Sequence, residues 1–94
     1  MKGFVATSRN REHWVFREGT VVTQVHPTVT DTILDLIRVI KKEDKKFFQR
    51  LQELYEEEYL DYYSSVEDFI LDSWDWLLEE EMSIHRVEIA KEEW

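Results

Sequence analysis

The chain has 94 residues, of which 43% are hydrophobic and 14% aromatic, and it carries a formal net charge of −9 without any cysteine. This length and composition predict one folded domain over residues 1–94 rather than a disordered chain. The lack of cysteine excludes a disulfide framework and cysteine-ligated zinc or iron–sulfur sites. The negative charge argues against nucleic acid and anionic membranes as direct partners, because both are polyanions.

The first third of the chain has the pattern of a β-sheet. Three segments are rich in small, aromatic or β-branched residues, namely 3–8, 13–17 and 20–25. The polar residues between these segments favour turns, and Glu18-Gly19 suits a two-residue hairpin turn. We therefore predict a three-stranded antiparallel meander at the start of the chain.

Two or three helices are predicted after Pro27, packed on one face of this sheet. The spacing of apolar residues indicates three helical segments, over residues 29–42, 44–62 and 66–81. Thr28 stands three residues before Asp31, and Ser64 and Ser65 stand three residues before Glu67 and Asp68, so each fits the pattern of a helix N-cap and the third helix has two candidates. Residues 41–46 contain no helix breaker, so the first two helices are either separated by a turn or continuous.

The last part of the chain returns to a strand-like pattern. Residues 84–90 alternate imperfectly between apolar and polar side chains, and we expect a C-terminal strand that joins the meander. The order of strands, helices and strand predicts an α+β fold. Glu58 falls on the apolar side of the second predicted helix, where we expect it to pair with a base such as Arg38 or to reach solvent at the edge.

The negative charge is concentrated in residues 53–81, which contain twelve acids and neither lysine nor arginine. The remaining residues carry nine acids and twelve bases, and six of these bases lie in residues 38–50. An ordinary exposed helix face mixes both signs, since Glu–Lys pairs four residues apart each add about 0.2–0.5 kcal/mol. Acids also stand near the predicted C-terminal ends of two helices, where the helix dipole favours cations. Local helix stability therefore does not explain the pattern.

Four of these acids, Asp68, Asp72, Asp75 and Glu79, fall within about 60° of one another on the third predicted helix. Acids on the outer side of the second helix and flanking aromatic residues extend this stripe. The candidate partner-binding residues are Glu53, Glu57, Asp61, Tyr62, Tyr63, Glu67, Asp68, Asp72, Asp75, Trp76, Glu79 and Glu80. The simplest interpretation is a solvated helix face. The functional one is a surface for a basic protein, with carboxylates in place of phosphates and aromatic rings in place of bases.

In size and in the charge layout of residues 45–81, the chain resembles the small acidic nucleic-acid mimics of phages and mobile elements. Those proteins inhibit restriction or CRISPR nucleases. The resemblance implies a non-catalytic inhibitor that acts in the cytoplasm on the basic groove of a nuclease or another nucleic-acid-binding protein. It implies no cofactor, and no direct binding of nucleic acid or membrane.

The alternative is a small self-associating structural or regulatory protein, or an immunity or antitoxin protein. In the self-associating form, a homodimer places the basic stretch 38–50 against the acidic face. Enzymatic activity is not predicted, because the sequence has no HExxH-like metal motif, glycine-rich phosphate loop or nucleophile elbow. His13 and His85 lie on predicted strands that can be neighbours, but their spacing is not that of a metal site.

Overall fold

The structure is a computed structural model that describes residues 2–9 and 12–88. Within these residues there are two strands and three α-helices, with one π-helical segment directly after the second helix. In chain order they are β1 (Lys2–Ser8), α1 (Val29–Glu43), α2 (Lys45–Leu54), the π-helical segment (Tyr55–Tyr59), α3 (Val66–Leu77) and β2 (Met82–Glu88). The predicted α+β class is therefore confirmed.

The sheet pairs β1 with β2, which is the predicted C-terminal strand. The two strands run antiparallel, from Lys2 opposite Glu88 to Ser8 opposite Met82. The second strand begins two residues earlier than expected, and residues 89–90 lie outside the described part of the chain. The two paired strands are distant in sequence, and all the helices lie between them along the chain.

The predicted three-stranded meander is not confirmed, because residues 12–26 form no regular strand. The contacts of this segment with the other edge of β1 include two isolated backbone pairs, Phe4 with His26 and Thr7 with Val21. Between these pairs the Thr23 hydroxyl, rather than a main-chain carbonyl, accepts the hydrogen bond of the Ala6 amide at 3.0 Å. A side chain thus replaces part of the strand ladder, and the segment follows β1 without becoming a strand.

Trp14 explains why the predicted middle strand is absent. Its indole is buried against Phe47, with ring centroids 5.6 Å apart, and its Nε1 donates to Ser8 Oγ at 2.9 Å. The following amide, that of Val15, donates to the Asp44 carboxylate at 2.9 Å. These side-chain interactions bend the backbone of residues 12–16 toward α2. The aromatic and β-branched pattern therefore fills the core at this point instead of extending the sheet.

The turn predicted at Glu18-Gly19 is present, although it does not join two strands. The Thr20 amide donates to the Arg17 carbonyl at 3.1 Å, and Gly19 has φ of 83°. Positive φ at the third residue of a four-residue turn is the geometry of a type II turn, which glycine adopts without steric cost.

Asp44 separates α1 from α2, so the two helices are not continuous. Its amide donates to the Ile40 carbonyl at 2.8 Å and caps the end of α1, while its Oδ1 accepts from the Phe47 amide at 3.1 Å and caps the start of α2. Its other carboxylate oxygen binds the Val15 amide, as described above. One buried aspartate therefore ends one helix, begins the next and anchors the loop of residues 12–16.

The predicted N-cap of α1 is confirmed, and of the two candidates for α3 the structure has Ser65. The Asp31 amide donates to Thr28 Oγ1 at 3.0 Å, and the Asp68 amide donates to Ser65 Oγ at 3.1 Å. α3 ends at Leu77 rather than at residue 81, because fully buried Leu78 begins a turn that leads into β2. The core between sheet and helices consists mainly of Ala6, Trp14, Ile33, Leu36, Ile37, Ile40, Phe47, Leu51, Tyr55, Val66, Phe69, Ile70, Leu78 and Met82.

The second predicted helix does not continue as an α-helix to residue 62. In an α-helix Leu51, Tyr55 and Glu58 would share the inner face. The π-helical segment has a wider turn than an α-helix, so Tyr59 occupies the inner position and Glu58 is exposed. Glu58 is therefore an edge residue that reaches solvent, and Arg38 pairs with a different carboxylate, that of Asp35.

Candidate protein-binding surface

Phe69 joins α3 to the π-helical segment and supports the acidic residues around it. Its fully buried ring stacks on Tyr59 at a centroid distance of 4.6 Å. Three further rings contact it at centroid distances of 5.5 to 6.2 Å, those of Tyr63, Tyr55 and Trp76. Aromatic pairs at such distances add about 0.5–1.5 kcal/mol each beyond their buried area. This aromatic cluster fixes α3 relative to the segment before it.

Asp68, Asp72 and Asp75 are exposed on the outer side of α3 and are here called the acidic row. Ser65 caps α3 and so sets where the helix begins. With that start Phe69 and Ile70 face the core, and the three aspartates face solvent. At 1.5 Å per residue the row spans about 10 Å along the helix. Trp76 lies next to the row and is 48% exposed.

Two hydroxyl groups orient the acidic row. The Tyr63 hydroxyl donates to Asp72 Oδ2 at 2.6 Å, and the Ser64 hydroxyl donates to the Asp68 carboxylate. The bond to Asp72 is the main reason that the pKa of Tyr63 is raised above its ordinary value. Tyr63 therefore remains protonated and acts as the donor. Asp72 keeps its negative charge, and the hydrogen bond restricts the direction of its carboxylate.

The chain neutralises few of the twelve carboxylates in residues 53–81. Among the described residues, ion pairs involve only two of them, Glu67 with Lys41 Nζ at 3.1 Å and Glu80 with His13 Nε2 at 3.6 Å. The guanidinium of Arg50 binds a main-chain carbonyl, that of His13. The acidic row and its neighbour Glu79 are thus left with solvent-facing charge.

Arg9 binds the turn after α3 through main-chain oxygens of its acidic residues, a contact that the sequence pattern did not indicate. Arg9 donates from its guanidinium to the main-chain oxygen of Glu79 at 2.8 Å, and its amide donates to the Glu81 oxygen at 2.8 Å. Burial raises the pKa of the half-buried Glu81, so this residue differs from the exposed Glu79 and Glu80 beside it.

A second set of acids, Glu53, Glu57 and Asp61, is exposed on α2, the π-helical segment and the turn after it. Each of these acids stands two positions before an inward-facing tyrosine, and two positions are about half a helical turn. The three tyrosines are Tyr55, Tyr59 and Tyr63. The acids therefore lie on the side that faces away from Phe69. The structure brings together the acidic row, Tyr63 and Trp76, but it shows no contact that joins this second set to them.

The other predicted site residues lie at the borders of the acidic row. Tyr62 is 77% exposed, while Tyr63 is half-buried against Phe69. Glu67 lies in the first turn of α3, where it pairs with Lys41. Glu79 and Glu80 are exposed in the turn that follows α3.

The described residues contain no group of three or more metal-ligating side chains that is placed to hold a metal ion. His13 lies beside Glu80, whereas His85 is exposed on β2 opposite Val5. The ring of Trp14 is buried, so it is not accessible for a nucleic-acid base to stack on it. Over residues 2–9 and 12–88, none of the helices has the length and apolar character needed to cross a lipid bilayer.

A polar cluster around Asp35 was not predicted from the sequence. Its buried carboxylate accepts hydrogen bonds from His26 Nε2 at 2.8 Å, from the Gln24 amide at 3.0 Å and from the guanidinium of Arg38 at 2.7 Å. Gln24, His26 and Arg38 also line an open cleft of about 610 Å³ together with Asp31 and Leu34. The carboxylate ties residues 24–26 to α1, so its first role is structural.

We expect Asp35→Asn to destabilise the fold by about 1.5–3 kcal/mol, since it weakens hydrogen bonds to a charged carboxylate. Burial raises the pKa of Asp35, but the bonds from His26, Gln24 and Arg38 and the Arg38 charge outweigh it and hold that pKa below the ordinary 3.8. A lowered folded-state pKa adds stability that is complete above about pH 4 and is lost as the pH falls through that pKa. Urea unfolding at pH 7 and pH 3 measures this difference.

The matched control is Asp31→Asn, which removes an exposed carboxylate from the first turn of the same helix. It should leave most of the acid sensitivity of the wild type. If the free energy of unfolding of Asp35→Asn depends on pH as steeply as that of Asp31→Asn, the hydrogen bonds to Asp35 do not stabilise the fold as the geometry indicates.

Comparison of the chain with protein-family models, with curated protein sequences and with solved structures gave no significant match.

Proposed function

We propose that this protein is a non-catalytic inhibitor that acts in the cytoplasm by occupying the basic groove of a nucleic-acid-binding protein, such as a restriction or RNA-guided nuclease. The observation that carries the proposal is the acidic row of Asp68, Asp72 and Asp75, which is exposed and has no basic partner within the described chain. Such a row attracts the Lys and Arg side chains that a nuclease uses to hold phosphates.

The spacing of the row supports this function. Successive carboxylates of the row lie about 4.5–6 Å apart along the axis of α3. A rigid series of negative charges at this spacing offers the same type of ion pair to a groove as a nucleic-acid strand does. The aromatic cluster under the row contributes rigidity, which lowers the ordering cost of binding.

The exposed aromatic residues add a second element of the mimicry. Trp76, which directly follows Asp75, is 48% exposed, and Tyr62, which directly precedes the Asp72 partner Tyr63, is 77% exposed. Aromatic rings at these places can stack on Arg guanidinium groups or occupy positions that bases take in a nucleic-acid groove. A face that is only solvated has no need for exposed rings beside its charges.

The test uses the chain immobilised on beads and bacterial lysate from which nucleic acid has been removed. We expect nucleic-acid-binding enzymes to be retained and to be released by added duplex or single-stranded DNA, because mimic and DNA compete for the same groove. Mass spectrometry identifies the released proteins. If DNA releases nothing that the beads retain, the proposed mimicry is wrong.

A further inference from the structure

A second surface of opposite charge lies beside the acidic row. A groove of about 410 Å³ between α1 and the start of α3 is lined by Leu34, Ile37, Arg38, Lys41, Lys42 and Glu67. We call it the basic groove. Its apolar lining comes from Leu34 and Ile37, and Leu34 is 45% exposed although it belongs to the helix at the centre of the fold.

Three cations border this groove, in a chain with a net charge of −9. Arg38 has 63% of its side chain exposed even though it binds Asp35, and Lys41 has 48% exposed even though it binds Glu67. Lys42 is exposed and makes no ion pair within the described residues. An apolar lining with a cationic border fits a partner that presents carboxylates next to a large apolar side chain.

The acidic row has that chemistry. Asp72 and Asp75 offer the carboxylates, and Trp76 offers a half-exposed ring beside them. Glu67 lines the basic groove, where its Oε2 atom is 3.1 Å from Lys41 Nζ, and it directly precedes Asp68, the first residue of the acidic row. The two surfaces are therefore adjacent on one molecule.

We propose that the basic groove binds the acidic row of a second copy of this chain, in a dimer whose two-fold axis runs along the Lys41–Glu67 boundary. Rotation about such an axis places each basic groove opposite the acidic row of the other copy. Every charge contact is then made twice, which is the self-complementary arrangement of a closed symmetric dimer. Because charge pairs dominate the contact, high salt dissociates the dimer.

This proposal does not depend on the proposed inhibitor function, since a nuclease could bind either a dimer-forming or a strictly monomeric chain. The two are nevertheless linked by competition. In the dimer the acidic row is covered, so a basic partner must displace the second copy. Dimerisation would thus hold the inhibitor in a reserve form when its target is absent.

A charge-swap experiment followed by sedimentation velocity tests the dimer. At low salt the wild type should sediment with about twice the 11.5 kDa mass of one chain, and at about 1 M salt as a single chain. Lys41→Glu/Lys42→Glu makes both surfaces acidic, and Asp68→Lys/Asp72→Lys/Asp75→Lys makes both basic. Each variant alone should be monomeric, and an equimolar mixture of the two should recover the doubled mass.

The control is Lys45→Glu/Lys46→Glu, which makes the same charge change at exposed residues of α2 outside the groove. It should remain dimeric. Circular dichroism checks folding, and Lys42→Glu alone replaces the groove variant if the double substitution unfolds the chain. The proposal is overturned by a wild type that is monomeric at low salt, by a mixture that stays monomeric, or by a control that dissociates.

Discussion

Asp68→Lys/Asp72→Lys/Asp75→Lys should reduce the capture of nucleic-acid-binding enzymes by at least about 100-fold, because like charges placed opposite each other in an interface cost several kcal/mol and 1.4 kcal/mol is a factor of ten. The fold should survive, since all three side chains are exposed. The substitutions do remove the acceptors of Tyr63 and Ser64, but these are surface bonds. Quantitative mass spectrometry of the captured proteins measures the loss.

The control for this result carries the same change in net charge elsewhere on the surface. Glu18, Glu43 and Glu88 are exposed in a turn, at the end of α1 and at the end of β2. Their replacement by lysine should leave capture close to the wild-type level. If the control loses capture to the same extent as the acidic-row variant, overall charge rather than the row governs binding. Capture by the acidic-row variant at physiological salt would refute the electrostatic mechanism.

Phe69→Ala should destabilise the protein by about 3–5 kcal/mol, which is the usual cost of removing a fully buried aromatic ring. The ring is 0% exposed and contacts four other aromatic rings, so its loss leaves a cavity between α3 and the π-helical segment. A domain of this size has a total stability of about 5–14 kcal/mol. The midpoint of thermal unfolding should fall by more than about 10 °C.

Tyr62→Ala is the matched control for stability. It removes an aromatic ring from the same part of the chain, but this ring is 77% exposed and takes no part in the cluster. Its effect should stay within about 0.5 kcal/mol, as is usual for surface positions. Equal melting temperatures for Phe69→Ala and the wild type would show that the aromatic cluster does not hold α3 in place.

The helices were predictable where their signals are local. Thr28 and Ser65 cap helices at the residues expected, because an N-cap depends only on a hydroxyl and an amide three residues later. The exposure of Asp68, Asp72 and Asp75 also follows from the 3.6-residue period of the same helix. The charge of a helix face is thus readable from the sequence, whereas its partner is not.

The sheet was less predictable because distant side chains decide it. Trp14 reaches Phe47, and Asp44 binds the Val15 amide, across about thirty residues of sequence. No pattern within residues 13–17 distinguishes a strand from a loop that fills the core with the same residue types. The C-terminal strand was predicted, but two residues too late, because its apolar and polar side chains alternate only imperfectly.

The Asp35 cluster and the π-helical segment had different signals in the sequence. Asp35 stands three residues before Arg38, which favours an ion pair on one helix face, but its bond with His26 depends on the path of residues 24–26. One feature of the sequence indicates the π-helical segment, because the acidic residue Glu58 falls on an otherwise apolar helix stripe. That conflict disappears when the turn widens and Tyr59 takes the inner position.

The π-helical segment also has a consequence for how the chain tolerates changes in length. From Leu51 to Tyr63 there are twelve residue steps, whereas three regular turns of α-helix need about eleven. Deleting Glu58 would therefore leave Leu51, Tyr55 and the next two inner tyrosines at intervals of four, three and four residues, which is an unbroken heptad-like stripe. A variant without Glu58 should therefore keep the same inner rings on an ordinary helix, so this place tolerates the loss of one residue.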